Sequence, residues 1–217
     1  NFKILLYPVQ PLQLVAQYDF NNNLIDSIGG NNGTGTNITF NNGSAVFSGI
    51  PSKVLINNLG AFDFTDGVND LPFRIETSVI LNSLPSGSSD PSTYILGKRD
   101  NTSTLQNYQL IVRQNGFDFA LLSNNPTAGI GVNNRFSQNL SLNTVYDITI
   151  TYDGSKTLSG LKMVVNGVEQ VGNEDFGTIY TAQEYTGANV YLGIAGFGIP
   201  ASRFYLDGKM DYLKIYK

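Results

Sequence analysis

The sequence predicts an all-β fold, two antiparallel sheets packed face to face as a sandwich. Three observations carry this. Apolar residues recur at every second position through short segments. Turn residues, chiefly Gly, Asn, Ser and Pro, separate those segments. No helical period persists for several turns. A chain of 217 residues suits one such sandwich with an arm.

Residues 1–13 stand apart. Pro8 and Pro11 break the segment, and Phe2, Ile4, Leu5, Leu6 and Tyr7 make it too apolar for a free tail. It reads as an arm or linker packing on a neighbouring domain or subunit, and equally as an edge strand of the same domain. The chain starts without Met, and its apolar start is too short and wrongly flanked for a signal peptide, so it reads as a fragment or processed product.

The domain proper spans 14–217. Leu14, Ala16, Tyr18 and Phe20 share one face of a first strand, and a polar loop follows from Asn21 to Gly35. Short strands are expected at Ala45–Phe47 and Val54–Ile56. In Phe73–Leu81, Phe73, Ile75, Thr77, Val79 and Leu81 point one way. Strands follow at Tyr94–Gly97, Tyr108–Arg113 and Phe117–Leu122, the last two joined by a turn at Asn115-Gly116. Tyr146–Tyr152 alternates, with Ile148 and Ile150 inward. Asp153-Gly154 turns the chain toward Leu161–Val165, and Asn166-Gly167 makes a tight hairpin, since both residues tolerate positive φ. The closing strands are Val190–Ile194, Phe204–Leu206 and Met210–Tyr216. Parity puts Tyr18, Phe20, Phe47, Ile75, Val79, Ile148, Ile150, Met163, Val165, Leu192, Leu213 and Ile215 in the core.

Several of these segments carry a pattern. Thr151-Tyr152-Asp153-Gly154 followed by Val164-Val165-Asn166-Gly167 is the most specific. Tyr18-Asp19-Phe20-Asn21, Asp26-Ser27-Ile28-Gly29-Gly30-Asn31-Asn32-Gly33-Thr34, Ala45-Val46-Phe47-Ser48-Gly49, Tyr191-Leu192-Gly193 and Gly208-Lys209-Met210-Asp211-Tyr212-Leu213-Lys214-Ile215-Tyr216 follow the same order. Together they resemble the laminin-G-like domains of the concanavalin A-like lectin/glucanase superfamily. The resemblance implies a concanavalin A-like jelly-roll and runs from residue 14 to the C-terminus. That fold hosts enzymes, lectins and structural modules, so function rests on the residues.

Catalysis finds little support. Glucanases of this fold carry acids at alternate positions of one strand, where one is the nucleophile and another the acid/base. Here Glu76 is followed by Thr77 and Ser78, and Glu174 and Asp175 are adjacent, hence on opposite faces of a strand. With no histidine and no cysteine, Ser-His-Asp and Cys-His machinery, disulfides and thiolate metal sites are excluded. The net charge of −4 and the lack of a basic cluster argue against nucleic acid. No apolar run reaches the ~18 residues a spanning helix needs, so no membrane insertion is expected.

Asp211 shares parity with Leu213 and Ile215, which places a carboxylate toward the core, where it needs a partner. The resemblance implies a structural Ca²⁺ between this closing-strand acid and the loop after the first strand, that is Asp211 with Asn21 and Asp26. The alternative is a carboxylate held by hydrogen bonds. Ser48 stands where the family often has an acid, which removes one ligand.

Sugar recognition uses aromatic faces and planar polar groups. Tryptophan is absent and tyrosine plentiful. The candidates are Arg113, beside Gln109 and Ile111 on the face opposite Leu110 and Val112, and Arg135, Tyr180, Tyr185 and Arg203, which lie in or near loops. The leading expectation is a non-catalytic carbohydrate-binding or adhesion module of an extracellular, cell-surface or virion protein, contacting a glycan or host-surface polysaccharide. The alternative is a structural virion component, such as a phage capsid decoration, tail or fibre protein, using the sandwich for protein packing.

Overall fold

The computed structural model describes residues 11–49, 51–57, 60–86, 91–99, 106–122, 131–172, 180, 182–194 and 205–217. It is an all-β sandwich of two antiparallel sheets. The strands are β1 (Leu14–Tyr18), β2 (Gly33–Thr36), β3 (Thr39–Asn41), β4 (Ser44–Ser48), β5 (Lys53–Ile56), β6 (Phe73–Leu81), β7 (Ser92–Arg99) and β8 (Gln106–Arg113). They continue as β9 (Gly116–Leu122), β10 (Gly131–Ser137), β11 (Val145–Tyr152), β12 (Leu161–Val165), β13 (Val168–Gln170), β14 (Val190–Leu192) and β15 (Asp207–Tyr216). One 3-10 turn, Leu158–Gly160, precedes β12. Among the described residues no helix is long and apolar enough to cross a membrane.

The eight-stranded sheet runs β13-β12-β11-β6-β15-β4-β3, with β1 also pairing to β15. The seven-stranded sheet runs β10-β9-β8-β7-β14-β5-β2. Their inner faces make one core, and all twelve residues expected there are buried. An aromatic group anchors it: the rings of Phe64 and Phe73 stack at 4.1 Å, and Tyr108 and Phe119 close around them. An ion pair lies inside. Lys98 Nζ donates to Asp63 Oδ1 at 2.6 Å, with the lysine side chain fully buried. Burial lowers the Lys98 pKa, and the Asp63 contact opposes that shift.

Turn chemistry follows local sequence. Asn166 and Gly167 both have positive φ and join β12 to β13. Asn42-Gly43 repeats the device between β3 and β4, a hairpin the strand pattern alone did not reveal. The β8–β9 turn is one residue earlier than expected. Arg113 pairs with Gly116, so Gln114 and Asn115 form the loop. Gly116 opens β9 at φ 146, where a Cβ would collide with the Phe136 carbonyl.

Three expectations are corrected. The polar stretch up to Gly35 contains the start of β2, which pairs with β5 through Gly33 and Gly35. Of the strand expected at Phe204–Leu206, Phe204 lies outside the described residues and Tyr205 and Leu206 belong to no strand, while the strand expected at Met210–Tyr216 starts earlier, at Asp207. Asp211 does not share a face with Leu213 and Ile215. The β15–β6 register slips between Met210 and Tyr212, so Asp211 is the extra residue of a bulge, and Met210 and Leu213 are the buried neighbours. At the chain start, residues 1–10 of the expected arm lie outside the described residues. Gln13 exchanges two backbone hydrogen bonds with Lys217, both 2.9 Å, extending the β1–β15 ladder.

Candidate functional site

The outer face of the seven-stranded sheet gathers the most chemistry. Strand parity explains how. In β9, Phe117, Phe119 and Leu121 fill the core, which turns Asp118 and Ala120 outward. Cross-strand register aligns Tyr94, Ile111, Asp118 and Arg135 in one row and Gly97, Gln109, Ala120 and Asn133 in the next. Arg113, one inward residue beyond Ile111, also faces out.

Asp118 organises the first row. Its side chain is 1% exposed, and the Nε atoms of Arg113 and Arg135 both bond its carboxylate, the Arg135 contact at 3.4 Å. Two guanidinium groups, one on each strand flanking β9, are thereby held by the same carboxylate. Charge-assisted contacts of this kind fix orientation. Arg99 Nη1 donates to Tyr94 Oη at 3.2 Å and to Gln109 Oε1 at 2.9 Å. Burial pushes the Tyr94 phenol up, and the charges of Arg99 and Arg113 oppose that shift. In the second row Gly97 and Ala120 are small residues, and both are buried. Tyr191 pairs with Gly97 and has Lys53 Nζ 5.9 Å from its ring centroid. Asn133 is buried, and its Oδ1 has no hydrogen-bond donor among the described residues. Such an orphan is uncommon in a native fold.

Of the expected ligand residues, Arg113 and Arg135 come together here. Arg135 lies in β10, two residues from its end. Tyr180 is elsewhere. Its hydroxyl donates to Asp70 Oδ2 at 2.7 Å, as does Tyr152, while the Gln183 N–H binds Asp70 Oδ1 at 2.6 Å. Burial first, then Asp70, drives both phenol pKa values far above the ordinary range, so Tyr180 clamps a loop. Tyr185 is 62% exposed, with its ring beside Gly67. Arg203 lies outside the described residues. Tyr94, Gln109, Asp118, Asn133 and Tyr191 were missed as site residues. Their signal is outward parity across five adjoining strands, which requires the strand order.

The cation expectation divides. Asp26 does not fit a metal ligand. Its Oδ1 accepts the N–H groups of Gln17, Ile28 and Gly29, and its Oδ2 accepts the backbone and side-chain N–H groups of Asn31. The carboxylate is an internal anchor for its loop. Asp211 accepts hydrogen bonds from the hydroxyls of Ser44 and, at 3.5 Å, Ser78. Asn21 is exposed, with its side-chain oxygen near Gly43, the neighbour of Ser44. Among the described residues no three Asp or Glu side chains converge to hold a metal.

With the geometry established, comparison with known proteins places the fold. No protein-family model matches the chain, and no curated protein sequence matches it. Solved structures do. Domain 4 of the arabinanase AbnA from Geobacillus stearothermophilus, determined with arabinotriose, matches at TM-score 0.64 and 20% identity, over 95% of this chain and 93% of that one. Trypanosoma rangeli sialidase, determined with sialic acid, matches at 0.65 and 12%, over 94% of this chain and 30% of that one. The botulinum neurotoxin type G receptor-binding domain matches at 0.56 and 15%, over 94% and 47%. The chain is similar to all three in fold, and it spans under half of the toxin domain and about a third of the sialidase.

The Asp26 anchor makes a prediction. Burial raises its pKa, but the hydrogen bonds from Gln17, Asn31 and Gly29 outweigh this and hold it below the ordinary carboxylate value. Its contribution is therefore fully present above the unfolded pKa of ~3.9 and is lost as pH falls through the lower folded value. Asp26→Ala strands several loop N–H groups and should cost about 2–3 kcal/mol at neutral pH. Urea unfolding at pH 7 and pH 3 checks this. The wild-type–variant gap should shrink at low pH, and a gap independent of pH would refute the anchor.

Proposed function

We propose that the chain is a non-catalytic carbohydrate-binding module of laminin-G-like type, and that the glycan lies on the outer face of the seven-stranded sheet. The observation that carries this is Asn133, a buried acceptor without a described donor, on a face lined by Tyr94, Tyr191, Gln109 and two fixed guanidiniums. Sugar hydroxyls supply donors for such an acceptor, and tyrosine rings supply apolar faces for the C–H side of a pyranose or furanose. Domain 4 of the arabinanase, similar in fold over nearly its full length, was determined with a bound oligosaccharide.

The same face argues against hydrolysis. Glycosidases place two carboxyl groups roughly 5–9.5 Å apart. Asp118 is the one acid among the described outward residues of β7 to β10, and two arginines occupy it. A glycan array on the purified chain tests the reading. It should capture at least one oligosaccharide, and Tyr191→Ala and Asn133→Ala should each weaken that binding roughly 3–10-fold. Capture of nothing, or wild-type binding by both variants, would contradict it.

A structural Ca²⁺ is proposed in reduced form, at Asp211 and Asn21 without Asp26. What supports it is the bulged carboxylate beside the Ser44 and Ser78 hydroxyls, a set of hard oxygen atoms. Ca²⁺ bound only by the native state would stabilise it by mass action. Chelation should lower the melting temperature, and Asp211→Asn should remove most of the chelator response. A melting curve indifferent to chelator would leave the two serine hydrogen bonds as the full account of Asp211.

A further inference from the structure

The two sheets meet edge to edge at one flank of the sandwich, where β10 borders one sheet and β12–β13 the other. The chain leaving β13 crosses this seam, and Gly172 makes a single antiparallel bridge to Phe136 of β10. Beside the bridge a cavity of about 650 Å³ opens. That volume falls within the range of small-molecule sites, about 300–1,000 Å³.

Its lining is built from both sheets. Asn134 faces inward from β10 and is 5% exposed. Its Nδ2 donates to the Leu161 carbonyl at 3.3 Å, which fixes the amide orientation. Its Oδ1 has no donor among the described residues. Gly172 is required at the seam, because any Cβ there would overlap the Asn134 amide. Leu158 and Val171 offer apolar walls, Val171 being 88% exposed at the rim. Lys162 and Glu169 lie 3.6 Å apart and cancel one another's charge. Gln170 adds an uncharged polar group.

We propose that this seam cavity is a second ligand site, separate from the outer sheet face, and that it takes one or two neutral sugar units. A buried acceptor without a donor calls for a ligand that donates a hydrogen bond. Leu158 and Val171 call for an apolar face on the same ligand. The cancelled charges give no preference for an ion. A sugar ring combines hydroxyl donors, an apolar face and neutrality in the available volume.

The test is a ¹⁵N–¹H NMR titration of the chain with arabinose, galactose, N-acetylglucosamine and lactose in the millimolar range. At least one should give saturable shifts at the amides of Asn134, Gln170 and Gly172. Val171→Trp, a change at an exposed rim position that closes the mouth, should abolish those shifts or raise the apparent Kd more than tenfold, with the rest of the spectrum unchanged. The proposal is overturned if no probe moves these amides, if the shifts survive in Val171→Trp, or if they are confined to Gly97, Ala120 and Asn133. The last result would leave binding on the outer face intact and remove only the seam site.

Discussion

Strand parity is the constraint on which the rest of this molecule depends. A strand that commits alternate side chains to the core commits the others to the opposite face. In β9, Phe117, Phe119 and Leu121 are buried, so Asp118 has no choice of direction. In β8, Leu110 and Val112 do the same for Gln109, Ile111 and Arg113. Register then brings Arg135 of β10 opposite Asp118. The proposed binding face is the outward consequence of inward packing, and Asp118 holds its two guanidiniums in place.

Buried carboxylates serve as fasteners throughout. Asp26 gathers the N–H groups of one loop, and Asp70 ties Tyr152, Tyr180 and the Gln183 backbone together. Asp63 holds Lys98 within the core, and Asp118 holds Arg113 and Arg135 at the site. In each case a charge removed from water is offset by several donors or a cation, which is the condition for burying it. A chain without cysteine thereby fixes its loops by polar contacts. Acids so engaged are poorly placed for acid/base chemistry, in keeping with the binding role proposed.

Much of the fold was legible in the sequence because its signals are local. Alternation in Phe73–Leu81 and Tyr146–Tyr152 and the Asn166-Gly167 turn need only neighbours in sequence. The bulge at Asp211 was not legible, because it exists only in the register between β15 and β6. Reading β15 as regular put Asp211 in the core. β10 escaped because Asn133, Asn134 and Arg135 interrupt its apolar pattern, and those residues are polar for reasons the partners explain. The site was half legible for the same reason. Arg113 was placed on the correct face by parity within one strand, whereas Tyr94 and Tyr191 join it only through the order β8-β7-β14. The hydrogen bond of Tyr180 to Asp70 was not legible either, because the two lie 110 residues apart.

The central claim is that the outward face of the seven-stranded sheet binds glycan. The most direct measurement is a crystal structure of the chain with an oligosaccharide captured by the array. The account predicts sugar density on this face, with a hydroxyl donating to Asn133 Oδ1 and a ring against Tyr191. Density confined to the outer face of the eight-stranded sheet, over Thr149, Glu76 and Lys214, would contradict it.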